Sequence, residues 1–285
     1  PVTDVVITCP AYFGIKERMA TQNAGILAGL KVHGVLNEPT AAAFSYGLDR
    51  AGTDQTVMVY DLGGGTFDIT LIEIKGKNIT VILTGGDHNL GGKDWDDAII
   101  NYFAEQFMQE HGQDQDPRDN PNTEQEIRNK AEDAKKQLTT RENYKTSLVS
   151  AEGKRIELTL TREKFEEITR HLVDQTIDLT KNLMDQAKSK GYSQIDQIVL
   201  VGGSTRMPMI NTAINMLGIK SIQHDPDLAV AKGAAWVGRK YLADLITGSY
   251  DIKNESDQEK IQNKYGLSSD SISKLDEIKN ISITN

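Results

Sequence analysis

A run of glycines between two acidic residues is the segment of this sequence best suited to bind phosphate. Residues 59–68 predict an apolar strand that ends at Asp61, a turn through Gly63–Gly65, and a second strand that follows Thr66 and carries Asp68. Consecutive glycines let backbone N–H groups converge on an anion without Cβ clashes. Carboxylates beside a phosphate suit hydrated Mg2+. A glycine-rich hairpin with solvated acids explains the same residues, so the segment alone leaves both interpretations open.

A second glycine turn follows a later apolar strand. Residues 198–208 predict a buried strand, a turn at Gly202 and Gly203, and the start of a helix that carries Ser204 and Arg206. Such a turn lets a ligand lie close to the backbone and face helix N–H groups, and a guanidinium can stack on an aromatic base. A plain strand–helix connection is the alternative. Two such turns, roughly 140 residues apart, suggest two halves that grip one ligand.

Polar residues at helical spacing give a third candidate. Glu132, Lys135, Lys136 and Thr139 form one stripe of a predicted helix and could hold a ribose and a base edge. A solvated helix face is the commoner origin of such a stripe, and the stripe alone favours that interpretation. Glu38, just before a predicted helix, is explained equally by helix capping.

The composition limits the functional classes. The chain has 285 residues, a mass of 31.5 kDa and a formal net charge of −9. An acidic chain is poorly suited to nucleic acid or anionic membranes, because phosphate neutralisation needs clustered Lys and Arg. The single cysteine, Cys9, excludes an intramolecular disulfide, and the five histidines lack metal-ligand spacing. The start at Pro1 resembles neither a signal peptide nor an initiator methionine, which predicts a fragment of a longer chain.

The elements that must position these residues alternate between strand and helix, which predicts an α/β fold. Residues 56–61, 67–75 and 79–84 form three successive strands of an antiparallel meander. A capping box at Thr123-x-x-Glu126 predicts a helix start. Further predicted elements are helices at about 14–30, 93–110, 161–190, 208–217 and 227–246, and strands near 5–8, 32–36, 144–150, 155–160 and 195–201.

Taken together, these segments resemble the ATPase domain of the seventy-kilodalton heat-shock chaperones, the DnaK-like family. The resemblance covers roughly residues 1–243. It rests on the following stretches: Val6–Phe13, Asn37–Ala43, Asp61–Asp68, Leu90–Asp96, Ile198–Pro208 and Asp225–Ala235.

The resemblance implies the actin-like ATPase (ribonuclease H-like) fold, with two lobes around a deep cleft. Its second lobe would be complete and its first lobe partial. Residues 1–50 would belong to the inner subdomain of the first lobe. Residues 51–90 and 171–246 would form the inner subdomain of the second lobe, and 91–170 its outer subdomain. Residues 247–285 would be a polar tail or linker with one or two marginal helices.

The resemblance also assigns roles to residues around ATP or ADP and Mg2+. It favours a nucleotide-binding role, rather than a solvated helix face, for the polar stripe on the predicted helix that carries Lys135. Catalysis would fall to Glu38, Asp61, Thr66 and Asp68. The phosphate cradle would be Gly63, Gly64, Gly65 and Thr66, with Glu38 and Asp61 holding Mg2+ through water and Asp68 positioning the attacking water. The nucleotide would further contact Gly92, Glu132, Lys135, Lys136, Thr139, Gly202, Gly203, Ser204, Arg206 and Asp227.

By the same resemblance, the full-length protein would be a cytoplasmic chaperone that uses ATP hydrolysis to control the binding of unfolded peptides. A J-domain co-chaperone and a nucleotide-exchange factor would be its partners. The family's first phosphate loop and catalytic lysine have no counterpart here, so we expect this chain alone to hydrolyse ATP poorly and to self-associate. A sugar kinase or an actin-type filament protein of the same superfold is the alternative.

Overall fold

The first 48 residues alternate strand and helix, as the sequence predicts. The computed structural model describes residues 2–48, 54–76, 78–265, 267–279 and 282–284. Strands β1 (Asp4–Cys9) and β2 (Lys31–Asn37) are parallel, and each is followed by a helix, α1 (Ile15–Leu27) and α2 (Glu38–Leu48). The predicted boundary between residues 50 and 51 lies outside the described residues.

The remaining elements form a sheet, a hairpin and the helices around them. The strands are β3 (Gln55–Leu62), β4 (Phe67–Lys75), β5 (Asn78–Asp87), β6 (Asn143–Val149), β7 (Arg155–Thr161), β8 (Gln197–Val201), β9 (Ser221–Gln223) and β10 (Ser282–Thr284). The helices are α3 (Gly92–His111), α4 (Pro121–Gln137), α5 (Arg162–Ser189), α6 (Pro208–Asn215), α7 (Ala229–Ser249), α8 (Glu255–Tyr265), α9 (Ser269–Ser273) and α10 (Leu275–Lys279).

The central sheet has the strand order β10-β5-β4-β3-β8-β9. Strands β3, β4 and β5 pair antiparallel, which confirms the predicted meander, whereas β8 runs parallel to β3. Because successive side chains of a strand point to opposite faces, β3 contributes to two cores. Met58 and Tyr60 pack with α3–α6 on one face, and Val57 and Val59 pack with α2 and α7 on the other. The sheet is therefore enclosed between two helical layers.

Local signals in the sequence set the ends of the long helix α5. The Thr161 hydroxyl accepts a hydrogen bond from the Lys164 N–H at 3.0 Å, as expected of an N-cap. Gly191, just beyond the helix, has a φ of +94°, which glycine adopts without strain. Both features confirm the predicted helix boundaries.

The predicted N-cap of α4, Thr123, is wrong by three residues, because Asn120 caps the helix. The helix begins at Pro121, and the side chain of Asn120 accepts hydrogen bonds from the backbone N–H groups of Asn122 and Thr123. Proline fits a first helical position because its missing N–H would lack a helical partner there. The Thr123 hydroxyl instead accepts a hydrogen bond from the Ala151 N–H at 3.2 Å.

The segment after residue 247 contains more structure than the one or two marginal helices predicted. Helices α8, α9 and α10 pack against the end of α7, and β10 pairs parallel with β5. Its apolar side chains are spaced widely along a polar sequence, so the local pattern gives little sign that they meet. The buried residues of this cluster are Ala243, Ile246, Ile261, Ile272, Leu275 and Ile278. Within the described ranges, no helix is both long and apolar enough to cross a membrane.

Candidate functional site

Both glycine turns leave the same edge of the central sheet. Strands β3 and β8 are parallel neighbours, and Asp61 near the end of β3 is in register with Val201 at the end of β8. On its other side, Asp61 is in register with Asp68 of β4. The two turns predicted to grip one ligand are therefore adjacent in the structure.

The first turn is fixed by the start of helix α3. The N–H groups of Gly92 and Lys93 donate to the carbonyl oxygens of Gly63 and Gly64 at 2.9 and 2.8 Å. Gly91 lies so close to the turn that a Cβ there would be 2.5–2.6 Å from backbone atoms of Gly65. Only glycine permits this approach, so Gly91 shapes the turn.

The outer side of the first turn is open. A Cβ at Gly64 or Gly65 would meet no atom within 4 Å. The turn thus provides a surface without side chains close to the carboxyl groups of Asp61 and Asp68. Such a cradle is suited to a phosphate group that must approach the backbone closely.

Three carboxyl groups lie at this edge and affect each other. Burial, Asp68 and Glu38 together raise the pKa of Asp61 to about 7. Burial and the neighbouring Asp68 raise the pKa of Glu38. Burial also raises the pKa of Asp68, although hydrogen bonding to Thr66 and the nearby His88 oppose that rise. A bound cation would relieve this crowding of negative charge, so the residues fit a divalent cation.

The three carboxyl groups near the first turn are not a ready-made set of metal ligands. Across the described part of the chain, no group of three or more His, Cys, Asp or Glu side chains could hold a metal ion. Mg2+ usually keeps several of its waters and takes only one or two protein carboxylates. The chemistry of this donor set therefore fits hydrated Mg2+ beside a phosphate.

The second turn contacts the first through Gly202 and Ser204. Gly202 has a φ of +85°, and a Cβ there would lie 2.4 Å from the Leu62 carbonyl oxygen and 2.6 Å from Oδ1 of Asp61. The buried Ser204 hydroxyl donates to the Gly63 carbonyl oxygen at 2.9 Å. Ser204 thus links the two turns directly.

Arg206 and Asp227 form an ion pair at the open side of the second turn. The guanidinium of Arg206 contacts Oδ2 of Asp227, and Oδ1 of Asp227 would lie 4.0 Å from a Cβ at Gly203. Both charged side chains are exposed. The resemblance implies that both side chains contact the nucleotide.

The predicted polar stripe on α4 separates into two parts. The Lys135 ammonium donates to the Gly92 carbonyl oxygen at 3.0 Å and to Oδ2 of Asp96 at 2.6 Å. Glu132 and Lys136 form an exposed pair at 2.6 Å. Thr139 lies beyond the end of α4, where its hydroxyl donates to the Lys136 carbonyl oxygen. The prediction that Thr139 belongs to the helix is therefore wrong, because the helix ends at Gln137.

Two further contacts were not expected from the sequence. Asp96 anchors Lys135, and its spacing within Leu90–Asp96 gave no reason to separate it from the adjacent acidic residues. The rings of Tyr12 and His88 lie at a tilt of 31° with centroids 3.8 Å apart, so the loop after β1 meets the loop after β5. Residues this far apart in sequence carry no local signal of contact.

Replacing Lys135 with methionine should destabilise the chain by about 1–3 kcal/mol, because it leaves the largely enclosed Asp96 carboxylate without its hydrogen-bonding partner. The side chains of Lys135 and Asp96 are only 13% and 20% exposed. Burial already raises the pKa of Asp96, so the loss should be larger at pH 8 than at pH 5. Chemical denaturation at both pH values measures the change.

The neighbouring Lys136 provides the matched control. Its side chain is 68% exposed and forms an ion pair with Glu132 across one helical turn. Lys136→Met should change the free energy of unfolding by less than about 0.5 kcal/mol. Equal losses in the two variants would show that Lys135 is not a structural link between α3 and α4.

The fold and the site together define an α/β protein with two adjacent glycine turns beside three carboxyl groups. A family model described as "Hsp70 protein" matches residues 1–254. The chain therefore belongs to the Hsp70 protein family. Members of this family have the actin-like ATPase fold, as the resemblance implied, and the mixed α/β architecture of this chain agrees with that fold.

Chaperone proteins of bacteria with the name DnaK are similar to this chain. Those of Thermotoga neapolitana and Thermosipho africanus are each 45% identical, over 242 and 241 residues, or 82% of this chain and 40% of each relative. That of Thermosipho melanesiensis is 46% identical over 237 residues, or 81% of this chain and 39% of the relative. The chain thus spans about 40% of the length of these relatives.

Proposed function

We propose that this chain is a nucleotide-binding part of an ATP-dependent protein-folding chaperone and binds ATP and ADP together with Mg2+. The observation that carries the proposal is the convergence of two glycine turns at a sheet edge that also holds three crowded carboxyl groups. The family match and the similarity to proteins named as DnaK chaperones support it. They do not favour the sugar-kinase alternative.

In this proposal the first turn receives the terminal phosphates on its open side. The backbone of Gly63–Gly65 and the Thr66 side chain would contact phosphate oxygens, where Gly64 and Gly65 leave space. Glu38 and Asp61 would hold Mg2+ through water, and Asp68 would orient the attacking water. When bound, Mg2+ supplies positive charge that neutralises the phosphates.

The second turn and α4 would hold the adenosine. Ser204 and Lys135 both lie against Gly92, whose added Cβ would be 2.5 Å from Oγ of Ser204 and 3.1 Å from Nζ of Lys135. These two groups form the wall between phosphate and sugar, whereas the exposed Arg206 is free to lie along the base once it leaves Asp227. Gly202, Gly203, Glu132, Lys136, Thr139 and Asp227 would complete the surroundings.

We further propose that the full-length protein acts in the cytoplasm and couples this site to the binding of unfolded peptides. A J-domain co-chaperone and a nucleotide-exchange factor would regulate the cycle. The resemblance to chaperone proteins supports these partners.

The proposal predicts that Gly64→Val weakens nucleotide binding without loss of stability. Valine would fill the open side of the turn, which a phosphate must occupy, yet a Cβ at Gly64 meets no atom within 4 Å. We expect the dissociation constant for ADP with Mg2+ to rise at least about tenfold and the Tm to stay within about 2 °C. Isothermal titration calorimetry and thermal melts measure both quantities.

Gly248→Val is the matched control, because Gly248 also faces open space and lies far along α7. It should bind ADP as the unmodified chain does. The proposal fails if the unmodified chain binds neither ATP nor ADP with Mg2+, or if Gly64→Val binds as tightly as Gly248→Val. Phosphorylation of an added sugar would support the kinase instead.

A further inference from the structure

Lys93 is the second residue of α3 and lies beside the first glycine turn. Its backbone N–H donates to the Gly64 carbonyl oxygen at 2.8 Å, next to the corresponding bond from Gly92 to the Gly63 carbonyl oxygen. Helical side chains lean toward the N-terminus of their helix, so a side chain in the first turn extends past the start of the helix. The long, flexible side chain of Lys93 can therefore reach the open side of the glycine turn.

Lys93 differs from the three cations that the resemblance assigns to the site, because its charge is not engaged. Each of those three pairs with a carboxylate, and the pairs are Lys135 with Asp96, Lys136 with Glu132, and Arg206 with Asp227. Within the described part of the chain, the exposed side chain of Lys93 takes part in no ion pair and no hydrogen bond. Its positive charge is therefore available to an anion that approaches the first turn.

The position of Lys93 is unfavourable for the folded chain by itself. The N-terminus of a helix carries partial positive charge, so a cation in the first turn is repelled. Asp94 in the same turn has the favoured charge, and its carboxylate accepts a hydrogen bond from the Gly91 N–H at 2.7 Å. Residues that break a local rule without a compensating contact in the protein are expected at functional sites.

We propose that Lys93 binds the phosphate groups of the nucleotide, and that the affinity of the site depends on its charge. This inference rests on the proposed function and adds to the site a side chain that the sequence did not single out. The chain has a net charge of −9, so its overall field opposes the approach of a nucleotide anion. The Lys93 ammonium supplies a local attraction, and it forms charge-assisted hydrogen bonds with phosphate oxygens.

Calorimetric titration of Lys93→Gln with ADP and Mg2+ tests the proposal. Glutamine is polar but uncharged, so the dissociation constant should rise at least about fivefold. Because the loss is electrostatic, the difference from the unmodified chain should shrink between about 50 and 500 mM NaCl. A contact with the uncharged sugar would lack that salt dependence. Lys93→Arg keeps the positive charge and should bind within about twofold of the unmodified chain.

Lys16→Gln is the matched control. Lys16 is also exposed, and it is the second residue of a helix that follows a glycine N-cap, but its helix α1 packs on β1 and β2. Both substitutions remove a cation from a first helical turn, so both variants should keep their Tm or gain up to about 3 °C. Only Lys93→Gln should lose affinity for ADP.

Three results would overturn the proposal and leave the proposed function in place. The first is a Lys93→Gln variant that binds ADP as tightly as Lys16→Gln does. The second is an equal loss in Lys93→Gln and Lys93→Arg, which would show that the shape of the side chain matters rather than its charge. The third is a loss that salt leaves unchanged, which would assign the contact to the sugar. An unmodified chain that binds neither ATP nor ADP would instead overturn the proposed function, and this inference with it.

Discussion

Replacing Asp61 with asparagine is expected to stabilise the ligand-free chain at pH 8 and to weaken its Mg2+-dependent nucleotide binding. Asp61 is the last residue but one of the apolar strand β3, and burial together with Asp68 and Glu38 raises its pKa to about 7. Asparagine has nearly the same shape and carries no charge. It therefore removes an electrostatic cost of folding and, in the same step, a group that would hold the cation.

The sign of the pH dependence follows from the direction of this shift. The pKa of Asp61 rises from its ordinary value of 3.8 to about 7 on folding, so the folded state binds its proton more tightly than the unfolded chain does. The free energy of unfolding therefore falls as pH rises through this interval, and it levels off above it. At pH 8 we expect Asp61→Asn to be more stable by about 1–3 kcal/mol. At pH 4 the two proteins should agree within about 0.5 kcal/mol.

Denaturant titrations at both pH values measure the stability, and calorimetry with ADP measures the binding. We expect the Mg2+-dependent affinity to fall at least about tenfold. Asp174→Asn, the same chemical change at an exposed position of α5, controls for the loss of one negative charge. A variant that is less stable than the unmodified chain at pH 8 would show that the carboxyl groups do not oppose one another in the folded protein.

Local signals in the sequence were sufficient for most of the secondary structure. The meander β3–β5 follows from short β-branched runs, and the ends of α5 follow from Thr161 and Gly191. The ends of α4 were less certain, because Asn120 and Thr123 are both good caps and only packing decides between them. Thr123 is buried and bonded to Ala151 across 28 positions of sequence, a contact that no local pattern reveals.

Some features of the candidate site could likewise be predicted from local sequence, whereas others depend on tertiary contacts. The glycine turns were recognisable because their conformational demands are local, as the positive φ of Gly202 shows. The sequence could not predict that Lys135 is enclosed and Lys136 exposed, since the two residues are identical and adjacent. What separates them is Asp96 on α3, which reaches one ammonium and not the other. Tertiary contact thus converts a uniform polar stripe into one enclosed ion pair and one exposed pair.

Gly233→Ala is expected to destabilise the chain by about 3 kcal/mol or more, although it adds a single methyl group. Gly233 lies on α7 where this helix crosses α2, and a Cβ there would be 1.7 Å from the carbonyl oxygen of Ala41 and 2.4 Å from its carbonyl carbon. Backbone atoms cannot rotate away as a side chain can. The helices would have to separate by roughly 1.5–2 Å to restore normal contact distances, at a cost above that of ordinary overpacking.

The same displacement would reach the candidate site, because Glu38 is the first residue of α2. Glu38 contributes to the raised pKa of Asp61, so moving α2 away should weaken the interaction between these carboxyl groups. We therefore expect Gly233→Ala to lose affinity for ADP with Mg2+ as well as stability. Urea denaturation and calorimetry at a temperature where the variant remains folded measure the two effects separately.

Gly238→Ala, five residues further along the same helix, provides the control for helix propensity. A Cβ at Gly238 would lie 3.6 Å from Cγ2 of Val6, an ordinary contact distance. This variant should gain up to about 1 kcal/mol, because alanine favours the helix over glycine. Opposite signs at the two glycines would show that the close approach of α7 to α2 requires glycine. A gain at both positions would mean that the helices separate freely and that their contact does not hold Glu38 in place.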